Sequence, residues 1–195
     1  MRQWKVVWVV ALALFWIGPL AAQRSDIGKA TDEALEKLVR LPPSAFPALP
    51  KEVAGQLERR GCLIPQASFY DPEPHNVISG EFARRGQTDW AVLCSVEGQS
   101  KILVFWGGPA RCPDSLPHGE DRGCFQDVMG DGTMAYSCVI FRADEKYIKD
   151  KLALYGQSDA APVIDHDGIN DAFAEKASSV RYCHDGRWLD LPGAD

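Results

Sequence analysis

Three carboxylates crowd one glycine in VIDHDGINDAF, residues 163–173: Asp165, Asp167 and Asp171 around Gly168. Carboxylate oxygens are the hard ligands that calcium takes, six to eight at a time. His166 and His184 each neighbour an aspartate, and a histidine so placed could serve as a general acid–base group or a metal ligand. The competing chemistry is local. Aspartates also bond nearby amides in Asx-turns, and here they could cap a short helix over NDAFAEK, residues 170–176. On sequence, both alternatives stand.

Other reactive constellations are missing from the pattern. The histidines are His75, His118, His166 and His184, and no H-x-x-x-H or H-E-x-x-H spacing joins any two of them. Cys183 and His184 are adjacent on an expected strand, where neighbours point to opposite faces, so they are not a nucleophile–base pair. No G-x-S-x-G elbow and no phosphate-cradling glycine loop occurs. No catalytic residue is therefore assigned. Trp90, Trp106 and Trp188 fall on expected strands, where alternation turns some aromatics outward as a docking surface and the rest into the core. The segment 107–124 (GGPARCPDSLPHGEDRGC) reads as a long polar loop suited to binding.

The N-terminus reads as a secretory signal peptide over residues 1–22: Arg2 and Lys5, an apolar run from Val6 to Ile17, then GPLAA with cleavage after Ala22. The apolar run is shorter than the ~20 residues a spanning helix needs. Loss of Arg2 and Lys5 takes the net charge from −6 to −8. So acidic a chain repels nucleic-acid phosphates and acidic lipid surfaces. The expected location is the periplasm or the extracellular space, with no nucleic-acid partner and no membrane association after cleavage. All six cysteines (Cys62, Cys94, Cys112, Cys124, Cys138 and Cys183) follow that segment, an even count that implies disulfides in an oxidising compartment. The expected pairs are Cys62–Cys94, Cys112–Cys124 and Cys138–Cys183.

These residues need elements to position them. Residues 26–40 show apolar helical spacing, and 50–60 make a second short helix with Pro50 in its first turn and Gly61 as its stop. The Pro-rich stretch 41–50 reads as an extended connector, so that residues 23–50 form a helix plus connector and 51–195 one α+β domain. Period-two alternation marks strands at 76–82, 89–96, 101–106 and 133–142, and a helix is expected over 144–155. A terminal hairpin turns at Asp185-Gly186. The fold class is α+β: N-terminal helices packed on a mainly antiparallel, disulfide-stapled sheet.

Three resemblances add to this. GEFARRGQTDWAVL, residues 80–93, resembles one FG-GAP or VCBS-type calcium-loop hairpin through Gly80, Glu81, Phe82, Gly86, Asp89, Ala91 and Val92. Ala83 and Arg85 stand where that family places oxygen ligands, so the resemblance implies the turn rather than the metal. Residues 165–171 resemble the D-x-D-G-I-x-D core of thrombospondin type 3 calcium repeats. Aligned on Gly168, it implies Asp165, Asp167 and Asp171 as ligands of a weak, millimolar calcium site. RGCLIPQ, GQTDWAVLCS and KASSVRYCHDGRWLDLPGAD resemble small uncharacterised secreted bacterial proteins, which implies location and no activity. The expected function is a non-catalytic binding protein for another protein or an envelope component. The alternative is a metal-dependent hydrolase built on the 165–171 loop.

Overall fold

The computed structural model describes residues 18–67, 69 and 72–194. The expected signal peptide therefore lies largely outside the described residues. In chain order the elements are α1 (Gly18–Glu36), β1 (Arg40–Leu41), a 3-10 turn (Pro43–Ala45), α2 (Lys51–Arg59), β2 (Ile64–Pro65), β3 (Val77–Gly80), β4 (Asp89–Val96), β5 (Gln99–Phe105) and β6 (Ser115–Glu120). A second 3-10 turn (Asp121–Cys124) leads to β7 (Phe125–Asp127), β8 (Met134–Tyr136), β9 (Cys138–Ala143), α3 (Glu145–Leu154), β10 (Gly168–Phe173), β11 (Ala177–His184) and β12 (Arg187–Pro192). Every sheet is antiparallel, which makes the class α+β. Among the described residues no helix is long and apolar enough to cross a membrane.

Two four-stranded sheets carry the fold, in the orders β3-β4-β5-β6 and β12-β11-β10-β9. Alternation along β4 and β5 gives the first sheet two apolar faces. Val92, Cys94 and Leu103 turn toward α2, whose Val53 and Leu57 lie one helical turn apart. Ala91, Leu93, Ile102 and Val104 join Val139, Ile140 and Ile169 of the second sheet in a shared core. On the far side of the second sheet, Val180, Tyr182 and Leu191 pack against Ile148 and Leu152 of α3. The layers thus run α2, sheet, sheet, α3.

The turns obey local chemistry. β4 and β5 are joined through Glu97-Gly98 and β11 and β12 through Asp185-Gly186, all four at positive φ as a two-residue hairpin turn requires. α2 ends in paired bonds, Gly61 N–H to Glu58 O and Cys62 N–H to Leu57 O, with Gly61 at φ 68°. This left-handed stop delivers Cys62 to Cys94.

Several expectations need correction. Only the Cys62–Cys94 bond forms as expected; the other two are Cys112–Cys183 and Cys124–Cys138. Cys138 faces Phe173, which faces Ala177, and Cys183 lies six residues farther along β11, about 20 Å away at 3.3 Å per residue. That exceeds the 7 Å Cα limit of a disulfide. Cys112 and Cys124 are likewise held apart by β6, which runs extended through the segment expected to be a loop. Residues 133–142 form two strands broken at Ser137, whose amide bonds Cys124 O. The short helix expected over 170–176 is the end of β10, because Asn170, Asp171 and Ala172 are paired on both sides. The connector 41–50 contains a 3-10 turn over Pro43–Ala45.

Candidate functional site

The two loops whose sequences resemble calcium loops meet in one cleft. The turn 81–88 joins β3 to β4, and the segment 163–167 enters β10. Asp167 N–H donates to Glu81 O (3.2 Å), and Glu81 N–H donates back to the Asp167 carboxylate (3.0 Å). Gly80 permits this approach, since a Cβ there would stand 2.6 Å from the Phe82 ring and 3.0 Å from Asp167 Oδ2. The N-terminus of α3 forms the third wall. Asp144 caps it by accepting from Tyr147 N–H at 2.7 Å, and the residues enclose about 600 Å³.

Charge fills this cleft. Glu81, Asp144, Glu145, Asp150, Asp165 and Asp167 face Arg85, Lys146 and Lys149, six acids against three bases. Arg85 bonds Glu145 at 2.6 Å, Lys149 bonds the other Glu145 oxygen at 2.6 Å, and Lys146 bonds Asp150 at 2.6 Å. Glu145 is held below the usual glutamate range chiefly by its Lys149 bond. Arg142 lies 3.9 Å from Asp167.

At the back of the cleft His166 is buried, its ring edge-on to Tyr182 at 4.2 Å. Its Nε2 lies 2.9 Å from Cys183 O, so that nitrogen carries the proton and Nδ1 presents a lone pair. Nδ1 stands 3.5 Å from Asp165 Oδ1 without a hydrogen bond among the described residues. Burial pushes the imidazole below its ordinary value, outweighing the Cys183 carbonyl and the Asp165 and Asp167 carboxylates. Tyr182 is pushed up to about 12, first by burial and then by the Asp165 charge.

Asp171 is elsewhere. It sits on β10, four residues beyond Asp167, or about 13 Å of extended chain. There it accepts from Arg181 (Nη2 at 2.9 Å) and stands 3.2 Å from His118 Nε2. The structure therefore brings Asp165 and Asp167 to one cleft and sends Asp171 to another. The hairpin's own acid, Asp89, is consumed by its turn, accepting from Ala83 N–H, Gly107 N–H and the Gln87 amide. Its pKa is raised by burial, against the pull of those donors.

Of Trp90, Trp106 and Trp188, two meet. Trp106 and Trp188 stack with centroids 5.8 Å apart and an interplanar angle of 28°. Trp106 Nε1–H donates to Asp114 (3.2 Å) and Trp188 Nε1–H to Pro113 O (2.9 Å). The Cys112–Cys183 bond joins Cys183, the partner of Trp188 across β11 and β12, to the residue before Pro113. Trp90 turns the other way, with the α2 layer, opposite Phe105 on β5. Sequence reasoning missed Arg85, Glu145 and Lys149 as cleft residues. They are ordinary surface charges in sequence, and only the packing of α3 against the 81–88 turn gives them a shared site.

No protein-family model, curated protein or solved structure matches this chain.

Proposed function

We propose that the protein is a secreted or periplasmic binding protein, without catalysis of its own, that docks a macromolecular component of the cell envelope on the Trp106–Trp188 pair. The stacked, partly exposed indoles carry this reading. Both ring N–H groups are already bonded within the chain, so the pair is fixed before a ligand arrives and little ordering is needed on binding. Three disulfides suit an oxidising compartment. The test is recovery of partners from envelope extract by the native chain and by Trp188→Ala, with melting temperatures measured alongside. A ten-fold loss at unchanged melting is expected. Equal recovery would remove the pair as the docking site.

A second reading, a metal-dependent hydrolase working in the acidic cleft, is favoured by one observation: the buried His166 Nδ1 lone pair beside Asp165. Calcium titration of metal-stripped protein separates the two readings. Heat that disappears in Asp165→Ala and Asp167→Ala but survives in Asp171→Ala supports a cation there. An absence of heat up to millimolar calcium dismisses it.

A further inference from the structure

A second pocket, of about 450 Å³, opens between β6 and the β10–β11 side of the second sheet, and the Cys124–Cys138 disulfide forms part of its wall. His118 stands beside that disulfide. Its Nδ1 lies 4.0 Å from Cys124 Sγ, and its Nε2 lies 3.2 Å from Asp171 Oδ1. Asp171 is held in turn by Arg181, which also pairs with Asp190. Among the described residues, His118, Cys124 and Cys138 are the one group of three His, Cys, Asp or Glu side chains whose ligating atoms lie within 4.8 Å of one another. A sulfur, an imidazole and an orienting carboxylate in that order are the arrangement that lowers a thiol's pKa and makes its thiolate available.

We propose that Cys124–Cys138 is a thiol-exchange site, opened by a dithiol reductant and presenting Cys124 as a thiolate paired with His118. His118 Nε2–H donates to the Asp171 carboxylate, which leaves the Nδ1 lone pair facing the sulfur. A thiol entering the pocket gives its proton to Nδ1, and its sulfur attacks Cys138 Sγ. The Cys124–Cys138 bond breaks, its electron pair goes to Cys124 Sγ, and the new thiolate faces the imidazolium. The reductant's second thiol then attacks its own sulfur in the mixed disulfide and releases Cys138, which takes that thiol's proton. The dithiol leaves as a disulfide, having supplied two electrons and two protons. Cys124 is the better leaving sulfur because the cation is on its side, and exchange runs fastest when the departing thiol has the lower pKa.

The charged groups around His118 act together. Glu120 on β6 lines the same pocket, and Asp171 on β10 and Arg181 on β11 stand behind the ring. Asp171 remains ionised below the usual carboxylate range: burial alone would raise it, and His118 and Arg181 outweigh burial. Both bonds are buried, Cys124–Cys138 in the core shared by the two sheets and Cys62–Cys94 in the apolar cluster beneath α2, and the imidazole of His118 is what sets the first apart.

The test is partial reduction with dithiothreitol at pH 7, with acid quenching, alkylation and peptide mapping. Cys124–Cys138 is expected to open at least ten-fold faster than the other two bonds. Once it is open, Cys124 is expected to alkylate with a pH midpoint at least one unit below the ~8.5 of an ordinary thiol. His118→Gln should return that midpoint to about 8.5 and leave the opening of Cys112–Cys183 unchanged. Cys138→Ser provides a second measurement that needs no reduction, because Cys124 is then free beside a native His118, and a low midpoint is again expected. Earlier opening of either other bond, or a Cys124 midpoint that ignores His118, would overturn the proposal.

Discussion

Asp121 has no exposed surface, and both of its oxygens are occupied. Arg40 donates to Oδ2 from Nε (3.1 Å) and Nη2 (2.8 Å), Ser95 Oγ donates to Oδ2 (2.7 Å) and Ser100 Oγ to Oδ1 (2.6 Å). The aspartate thus ties β1, through Arg40, to β4 and β5. Asp121→Ala leaves the Arg40 charge and two hydroxyls without their acceptor. The expected loss is about 3–5 kcal/mol in urea unfolding, the range for breaking a buried pair, and a loss under about 1 kcal/mol would show that water replaces the carboxylate. Two other residues contribute to the acid limb of stability. His166 is held neutral by burial, so below about pH 6.5 the unfolded chain binds protons that the native chain refuses. Stability present at neutral pH is lost as pH falls from about 6.5 toward the depressed native value. His166→Gln should flatten the slope of unfolding free energy between about pH 7 and 5. Asp171, lowered by His118 and Arg181 against the opposing effect of burial, acts farther down. Its contribution is complete above about pH 4 and is lost as pH falls through its native value. Asp171→Asn should remove that lower segment alone.

At the scale of elements, the helix ends are the most predictable features. α3 ends as α2 does, with Gly156 N–H on Ala153 O, Gln157 N–H on Leu152 O and Gly156 at φ 65°. Gly61→Ala and Gly156→Ala should each cost about 1–2 kcal/mol, because a Cβ is unfavourable at positive φ, as read by thermal melting. Loss of nothing at Gly61 would mean that the stop has relaxed. The stop at Gly61 was legible because a glycine after an apolar-periodic run carries local information. The same holds for the hairpin turn at Asp185-Gly186 and for the strand Asp89–Val96, whose bounds the alternation marked correctly. What failed was non-local. NDAF looks helical in isolation because Asn and Asp are good caps, yet partners on both edges hold it in β10. The acidic trio failed to converge for the same reason. A strand starts at Gly168 and carries Asp171 away from Asp165 and Asp167 along its length. His118, an isolated histidine in a polar segment, gave no sign that a sulfur and a carboxylate from distant elements would flank it.

Across the whole molecule, the disulfides divide the work unequally. Cys112–Cys183 spans 71 residues and joins the segment before β6 to β11, one sheet to the other. Cys124–Cys138 spans 14 and closes the β7–β8 hairpin onto β9. By loop entropy the first should contribute about 4–5 kcal/mol and the second about 3. Paired serine replacements, compared by chemical unfolding, should show that order, and a larger loss from the shorter bond would mean that local packing dominates. A second seam, beside β9, is held by one side chain. There Asn76, buried at φ 69°, donates its amide to Pro65 O (2.7 Å) and Cys138 O (3.3 Å) and accepts from Ile140 N–H (2.9 Å). One side chain therefore does for the edge of β9 what a neighbouring strand would do. A carboxylate in place of that amide, as in Asn76→Asp, would replace two donated bonds with two buried contacts between a negative oxygen and a carbonyl. The two sheets would then part at β3 and β9 with every disulfide intact.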